Sequence, residues 1–289
     1  MTGIQTCALP IWLFRTEFLF LSRTSAPDEE EQVQAYRLTA QALNGRPLII
    51  RTLDAGGDKS IPYLNLASEA NPFLGCRAIR LCLSQPELFK TQLRAILRVA
   101  AEFRLKVMFP MIATLDELRR AKALLAEACQ ELTARGESHA ETVETGIMVE
   151  IPSVAAMAEQ FAREVDFFSI GTNDLTQYTF AVDRTNPIVA SIADACHPAV
   201  LRQIQRVVEA AHANGIWVGV CGELAGDPDA IPILLGLGVD ELSMSAPAIA
   251  TAKEIVRSWD ASQAKRLAEQ ALQLDSAETV RMSVKKDQF

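Results

Sequence analysis

The chain has 289 residues, enough for one large barrel or two ordinary domains, and 49% of them are hydrophobic, enough to fill a sizeable core. Its net charge of −8 argues against a general nucleic-acid or anionic-membrane surface, so an anion site would need a local cluster of arginines. No run of about 18 apolar residues occurs, so no membrane-spanning helix is expected.

The cysteines and histidines exclude two further classes of protein. No pair of the six cysteines forms a C-x-x-C motif, and in a chain of this length scattered cysteines indicate unpaired thiols in the reducing cytosol. The three histidines, His139, His197 and His212, do not form an H-x-x-x-H pair, so a zinc enzyme is not expected.

The first predicted elements follow a segment that fits poorly with the rest of the chain. Residues 1–12 lack the basic start and the apolar core of a signal peptide, and we interpret them as a non-native lead before a domain at 13–289. Apolar segments near Leu13 and Leu48 predict two strands, and the polar residues after Asp28 predict a helix between them that ends at Gly45.

The middle of the chain continues this alternation. A glycine-rich loop follows the second strand, and a helix is predicted from Cys76 to Ala101 with Arg77 in its first turn. Because a cation is unfavourable at a helix N-terminus, Arg77 suggests a bound anion there. A strand at Val107 precedes a helix whose capping box is Thr114 with Glu117.

The remaining strands are predicted at Ile147, Phe167, Trp217 and Leu242, with helices between and after them. The last residues, 283–289, have the composition of a frayed end. Seven strands alternating with helices indicate a parallel α/β fold. Polar residues recur where these strands end, and in a (β/α)₈ barrel those ends converge on one face. We therefore predict a TIM-type (β/α)₈ barrel that lacks its first βα unit.

The segment from Val165 to Arg184 carries the strongest local signal. An apolar run, Phe167 to Ile170, stops at Gly171, and Asn173 and Asp174 follow at once. Carboxylate oxygens suit Mg²⁺, and the guanidinium of Arg184 suits phosphate or carboxylate. The alternative is a strand end with an ordinary capped helix, in which the two side chains satisfy backbone groups.

Several segments together resemble the phosphoenolpyruvate (PEP)-binding domain of Enzyme I, the PEP–protein phosphotransferase of the bacterial sugar phosphotransferase system. They are R-T-E-F-L-F from Arg15, R-T-L-D-A-G-G-D-K from Arg51, N-P-F-L-G-C-R-A-I-R from Asn71, F-F-S-I-G-T-N-D-L-T-Q-Y from Phe167 and G-V-C-G-E-L-A-G-D from Gly219. The resemblance spans residues 13 to 274. Related segments occur in pyruvate, phosphate dikinase, in PEP synthase and in multiphosphoryl transfer proteins.

The resemblance implies a dimerising cytoplasmic barrel that binds PEP with Mg²⁺ and releases pyruvate. Each implied role belongs to a matched position. The metal ligands are Glu150 and Asp174, the substrate-binding residues are Arg15, Arg51, Asn173 and Arg184, the arginine at the phosphoryl group is Arg77, and the acid that protonates the methylene carbon is Cys221. A cysteine thiol is largely protonated at neutral pH and can donate that proton.

The chain also departs from this family. None of its histidines stands in the G-G-x-x-S-H setting of the family's phosphate acceptor, and Trp12 replaces a glycine. We therefore expect a C-terminal fragment that binds PEP, whose partner phosphocarrier protein is reached only through a separate N-terminal domain. A dikinase, synthase or multiphosphoryl transfer fragment, or a non-catalytic PEP-sensing barrel, remains an alternative.

Overall fold

The computed structural model describes residues 12–21, 23–56, 61–64 and 69–287. The proposed lead therefore lies outside the described residues, except for the backbone of Trp12. The chain divides into two compact units, whose described parts are residues 12–147 and residues 148–287. No helix in the described ranges is long and apolar enough to cross a membrane.

The elements of the first unit alternate between strands and helices. They are β1 (Trp12–Arg15), α1 (Glu17–Phe20), α2 (Glu29–Ala42), β2 (Leu48–Arg51), α3 (Ile79–Ser84), α4 (Pro86–Ala100), β3 (Leu105–Phe109), α5 (Leu115–Arg135) and β4 (Glu144–Val149), whose last two residues belong to the second unit. Short 3₁₀ turns at Pro62–Leu64 and Pro72–Leu74 lie in the loop after β2.

The second unit continues the same alternation and ends in a run of helices. Its elements are α6 (Pro152–Ala156), α7 (Ala158–Ala162), β5 (Phe167–Ile170), α8 (Thr172–Phe180), α9 (Pro198–Ala213), β6 (Trp217–Val220), α10 (Ile231–Gly236), β7 (Glu241–Leu242), α11 (Ile249–Ser258), α12 (Ala261–Ala271) and α13 (Ala277–Asp287). Rings at the beginning of β5 and β6 stack, with the centroids of Phe167 and Trp217 4.7 Å apart.

The strands confirm the predicted fold class. The seven strands in the described residues follow one another in sequence order in one sheet, and the strand pairs β1–β2, β2–β3, β3–β4, β5–β6 and β6–β7 are parallel. Each strand lies where the apolar runs predicted it. Parallel strands in sequence order, joined by helices, have the connectivity of a (β/α)₈ barrel with seven of its eight strands.

Local sequence explains where several helices begin. Helices α2, α5 and α12 each begin with a full capping box, in which the side chains at the N-cap and three residues later bond each other's backbone N–H groups. The Thr114 and Glu117 box had been predicted. His197 caps α9 by accepting the Ala199 N–H at 3.1 Å, as expected of a residue at a helix entry.

Two predicted boundaries are wrong. The helix expected from Cys76 to Ala101 is interrupted, because Pro86 has no N–H and forces the preceding Gln85 out of the helical conformation. The first of the two resulting helices begins only at Ile79, so Arg77 precedes it. The end expected to fray is helical as far as Asp287, because Val280 and Val284, one turn apart, are both fully buried.

Three helices of the first unit are joined by an ion-pair network centred on the buried Arg94. Its guanidinium bonds Glu29 of α2 and Glu131 of α5, at 2.7 and 2.6 Å. Burial opposes ionisation of Glu29, but hydrogen bonds from Arg94 and Arg98 outweigh it and lower the pKa of Glu29 below its ordinary value of 4.5. A hydrogen bond from Lys90 is the largest cause lowering the pKa of Glu131.

Acid should therefore weaken this network. A carboxylate whose pKa falls on folding stabilises the protein above its ordinary pKa, and that stability is lost as the pH drops through and below about 4.5. We expect Arg94→Met to lower Tm at pH 7 by about 3–12 °C, from about 1.5–3 kcal/mol per charged hydrogen bond and 2–4 °C per kcal/mol. The variant should also lose less stability than the wild type between pH 7 and pH 4 in calorimetry.

The matched control is Arg120→Met, which removes an exposed pair with Asp116 on α5. Exposed pairs contribute little, so its Tm should stay within about 2 °C of the wild type at both pH values. Parallel pH profiles for Arg94→Met and the wild type would show that the network does not cause the acid sensitivity.

Candidate functional site

In the second unit, several predicted residues meet where β4 and β5 end. Gly171 ends β5 and caps α8, and the Glu150 side chain packs on it so closely that an added Cβ would lie 3.0 Å from Glu150 Oε2. Asp174 follows in the first turn of α8, where a negative charge suits the helix dipole. Both carboxylates are buried, at 1% and 8% exposure.

Arg184 lies beside this carboxylate pair. Its Nη1 is 3.4 Å from Asp174 Oδ1, and its backbone N–H donates to the side-chain oxygen of the buried Gln177 at 3.2 Å. Arg184 follows α8 closely and still reaches Asp174 in the first turn of that helix. The chain can turn back because Ala181, which ends α8, adopts the left-handed conformation with φ of 53°. The predicted pairing of a carboxylate with a guanidinium ten residues later is thus present, and Gln177 is a contributor that the sequence analysis missed.

Asn173 and Cys221 belong to the same cluster. The N–H of Glu223 donates to Asn173 Oδ1 at 3.0 Å, which fastens the loop after β6 to the beginning of α8. Cys221 begins that loop, and its Sγ lies 3.5 Å from the carbonyl oxygen of Ile170 at the end of β5. Four of the predicted side chains, those of Glu150, Asn173, Asp174 and Arg184, and the Cys221 thiol therefore surround the ends of neighbouring strands.

Gly222 is the point of closest approach in this cluster. A Cβ added there would lie 1.9 Å from Thr172 Oγ1 and 2.8 Å from its backbone nitrogen. We expect Gly222→Ala to lower Tm by about 2–12 °C, because overpacking costs about 1–3 kcal/mol and the backbone must move. Gly226→Ala is the matched control, since its Cβ would make ordinary contacts at 3.5 Å. Equal melting temperatures for the two variants would contradict this close approach.

In the first unit, two of the three remaining predicted arginines, Arg51 and Arg77, contact the same aspartate, Asp54. Arg15 and Arg51 end the neighbouring strands β1 and β2 and are register partners. Arg51 pairs with Glu17 and lies 3.5 Å from Asp54 Oδ2. Arg77 bonds the same Asp54, with its Nε and Nη2 at 3.2 Å from the two carboxylate oxygens.

This second cluster is buried. Arg77 and Asp54 are each 1% exposed, Glu17 and Arg51 are also buried, and within the described residues the two guanidiniums contact these two carboxylates. Arg15 is exposed. The position of Arg77 in the sequence predicted a bound anion beside its guanidinium. In the structure the Asp54 carboxylate is a negative partner of this guanidinium. Asp54 and Glu17 were not assigned to the site, although a charge within the apolar segment after β1 was a usable signal for Glu17.

The backbone near Arg77 explains a glycine in this loop. Gly56 has φ of 103°, and a Cβ there would lie 2.7 Å from Arg77 Cβ and 2.8 Å from the carbonyl oxygen of Cys76. The N–H of Ala78 donates to the Ala55 carbonyl at 2.9 Å. The residues after β2 thus pack directly on the segment that carries Arg77, which fixes where its guanidinium reaches Asp54.

The three histidines make structural contacts. Besides the His197 cap, the His212 ring bonds Asp240 at 2.9 Å, and the His139 ring bonds the Glu137 carbonyl at 2.7 Å. None of the five described cysteines is in a disulfide, as predicted, and Cys7 lies outside the described residues. Burial raises the pKa of Cys196 to about 12.

Within the described ranges, no group of three or more His, Cys, Asp or Glu side chains could hold a metal ion by itself. The carboxylates of Glu150 and Asp174 are hard oxygen donors, and Mg²⁺ is commonly held by one or two carboxylates while water and substrate phosphate complete its shell. The donor chemistry beside Gly171 therefore fits Mg²⁺.

The sequence model described as "PEP-utilising enzyme, PEP-binding domain" matches residues 3–261. The chain is 54% identical over 277 residues to the phosphoenolpyruvate-protein phosphotransferase of Staphylococcus carnosus (strain TM300), covering 96% of this chain and 48% of that protein. It is 52% identical over 275 residues to the protein of the same name from Bacillus subtilis (strain 168), with 95% and 48% covered. The chain thus spans about half the length of the curated relatives it matches.

Among solved structures, a citrate lyase from Burkholderia xenovorans LB400 aligns with 88% of this chain and 76% of its own, at 16% identity and a TM-score of 0.49. A likeness that distant has no bearing on the site. The family match covers most of the chain and includes every candidate site residue, as the resemblance of the five motifs had implied. The chain therefore belongs to the PEP-utilising enzymes, and the matched region is their PEP-binding domain.

Proposed function

We propose that this chain is the PEP- and Mg²⁺-binding part of a phosphoenolpyruvate-protein phosphotransferase, with residues 13–289 as its PEP-binding domain. The observation that supports this most is the arrangement beside Gly171. There the buried carboxylates of Glu150 and Asp174 are joined by the Arg184 guanidinium at 3.4 Å from Asp174. Two hard-oxygen ligands next to a cation suit a small phosphate ester bridged by a metal.

The proposed reaction moves a phosphoryl group from PEP to a histidine and releases pyruvate. The bond between phosphorus and the enol oxygen breaks, the acceptor nitrogen bonds phosphorus, and the enolate carbon takes a proton from the Cys221 thiol. Mg²⁺ held by Glu150 and Asp174 would neutralise charge on the phosphate and enolate oxygens. Phosphoryl transfer depends mostly on such positioning and charge stabilisation.

The arginines have separate roles in this proposal. Arg184 and Asn173 are the proposed substrate-binding residues of the second unit. For the first unit we propose anion-binding roles for Arg15 and Arg51, and for Arg77 the role at a phosphoryl group. Asp54 and Glu17 keep the guanidiniums of Arg51 and Arg77 oriented before substrate arrives, which reduces the cost of ordering them.

The acceptor histidine lies outside this sequence in our proposal. The rings of His139, His197 and His212 are all engaged in structural contacts. Relatives at 54% and 52% identity are named phosphoenolpyruvate-protein phosphotransferase, which favours this activity over a dikinase or a synthase. They are about twice as long as this chain, which leaves room for an acceptor domain. We further propose that the protein acts in the cytoplasm as a homodimer and passes phosphate to a phosphocarrier protein.

The test separates binding from transfer. The purified chain should bind PEP in calorimetry when Mg²⁺ is present and bind it far more weakly with EDTA. With labelled PEP, the phosphocarrier protein should become labelled only after the N-terminal domain of a relative is added in trans. Carrier labelled by the chain alone would refute the missing acceptor. Binding that never leads to transfer would indicate a PEP-sensing barrel, and absent binding would refute the proposal.

A further inference from the structure

The guanidinium of Arg281, on the C-terminal helix α13, joins two loops of the second unit. It binds both oxygens of Asp194, with Nε at 2.9 Å and Nη2 at 3.0 Å. Its Nη1 lies 2.8 Å from Asp227 Oδ2 and 3.4 Å from Asp229 Oδ2. One cation therefore holds three carboxylates, and the hydrogen bond with Asp194 is the largest cause raising the pKa of Arg281.

Asp227 and Asp229 lie in the loop that follows β6, residues 221–230, and Cys221 is the first residue of this Cys221 loop. Between Cys221 and Asp227 the chain makes a single 3₁₀ turn, Glu223–Gly226, and Asp227 then accepts the Asp229 N–H through Oδ1 at 3.0 Å. The near end is fixed where the Cys221 N–H donates to the Ile170 carbonyl at 3.0 Å. The Arg281–Asp227 pair is the corresponding anchor at the far end of this short segment.

The second loop connects Arg184 to the beginning of α9. Asp194 Oδ1 accepts the Cys196 N–H at 2.9 Å, and His197 packs edge-on against Phe180, at the end of α8, with centroids 4.9 Å apart. Burial opposes ionisation of Asp194, but the Arg281 hydrogen bond outweighs it and lowers the pKa of that carboxyl. Without Arg281, these three carboxylates would lose the guanidinium that all of them contact.

We infer that Arg281 is a positioning residue that holds the Cys221 loop in place through Asp227. Arg281 lies 20 positions beyond residue 261, where the family match ends, and touches none of the proposed ligands of PEP or Mg²⁺. The inference rests on the proposed function for its importance in catalysis, because Cys221 is the proposed proton donor. The positioning itself is a property of the loop and is measurable without any reaction.

The test follows alkylation of Cys221 by iodoacetamide, resolved by peptide mass spectrometry, in the complete 289-residue chain. Cys129, a partly exposed thiol on α5 in the first unit, is the internal reference. Asp227→Asn and Arg281→Met should each raise the alkylation rate of Cys221 about tenfold. This is the effect of one lost charged hydrogen bond on a local opening equilibrium. The Cys129 rate should be unchanged, and Arg281→Lys should restore part of the wild-type rate.

The matched variant is Asp194→Asn, which weakens the same guanidinium's hold on the other loop. This variant should leave the alkylation rate of Cys221 within about twofold of the wild-type rate. A general loss of stability would instead change that rate by a similar factor in all three variants. Equal rates for Asp227→Asn and the wild type, or equal effects of Asp227→Asn and Asp194→Asn, would overturn the inference. PEP binding, measured in parallel on the wild type, tests the proposed function independently of these rates.

Discussion

Asp174→Asn is expected to weaken Mg²⁺-dependent PEP binding by about 100-fold or more, equivalent to about 2.7 kcal/mol at 1.36 kcal/mol per tenfold. Asparagine keeps the shape of the side chain but removes the charge that would face both the cation and Arg184, 3.4 Å away. Calorimetric titration of PEP at fixed Mg²⁺ measures the effect. With EDTA the difference between the variant and the wild type should be much smaller than with Mg²⁺, because the metal then contributes to neither.

Asp183→Asn is the matched control. Asp183 is next to Arg184 but is exposed and bonded to Thr185, so the same change of charge should alter binding less than threefold by the usual weakness of exposed charges. Glu150→Gln should resemble Asp174→Asn, and the double variant should be hardly worse than either single one, because both carboxylates would hold one ion. Independent, additive losses would argue against a shared metal.

Arg51→Met is expected to lower Tm by about 6–20 °C, because breaking a buried ion pair costs about 3–5 kcal/mol and each kcal/mol corresponds to about 2–4 °C. The substitution removes the guanidinium that both Glu17 and Asp54 contact, and all three side chains are buried. PEP binding should also be lost in calorimetry carried out well below the lowered melting temperature.

The control for Arg51 is Arg37→Met, which breaks an ion pair with Glu102 that is more exposed and should cost at most about 1 kcal/mol. Adding Glu17→Gln to Arg51→Met should recover part of the lost stability, since the buried partner is then neutral. If Arg51→Met and Arg37→Met lower Tm by the same amount, the ion pairs around Asp54 do not stabilise the protein. If it is destabilised yet binds PEP normally, the proposed role of Arg51 is wrong.

The strands could be predicted because the information is local. Phe167 to Ile170 are all buried, and Gly171 stops the apolar run at the residue where the strand ends. The break at Gln85 and Pro86 carried an equally local signal, since proline lacks a backbone N–H, and it should have divided the predicted helix. The buried pair Val280 and Val284, at helical spacing, similarly indicated that the end of the chain packs rather than frays.

The partners of the site residues could not be predicted in the same way. Asp54 and Arg77 are 23 positions apart, and no periodicity in the sequence shows that the loop between them returns. Ala181 turns the chain toward Arg184 through a left-handed conformation for which alanine, unlike glycine, carries no sequence signal. Such contacts follow from tertiary packing, so the sequence supplied the chemical types of the residues and the structure supplied their pairings.

The stacked rings of Phe167 and Trp217 give the second unit its own optical reporter. They lie where β5 and β6 begin, about 10 Å of strand from the ends that carry Gly171 and Cys221. Indole emission from Trp217 should therefore change when these strands separate on heating and stay constant when a ligand occupies the opposite ends. In a variant whose other two tryptophans, Trp12 and Trp259, are replaced by phenylalanine, fluorescence from Trp217 can thus follow unfolding of the second unit without interference from substrate.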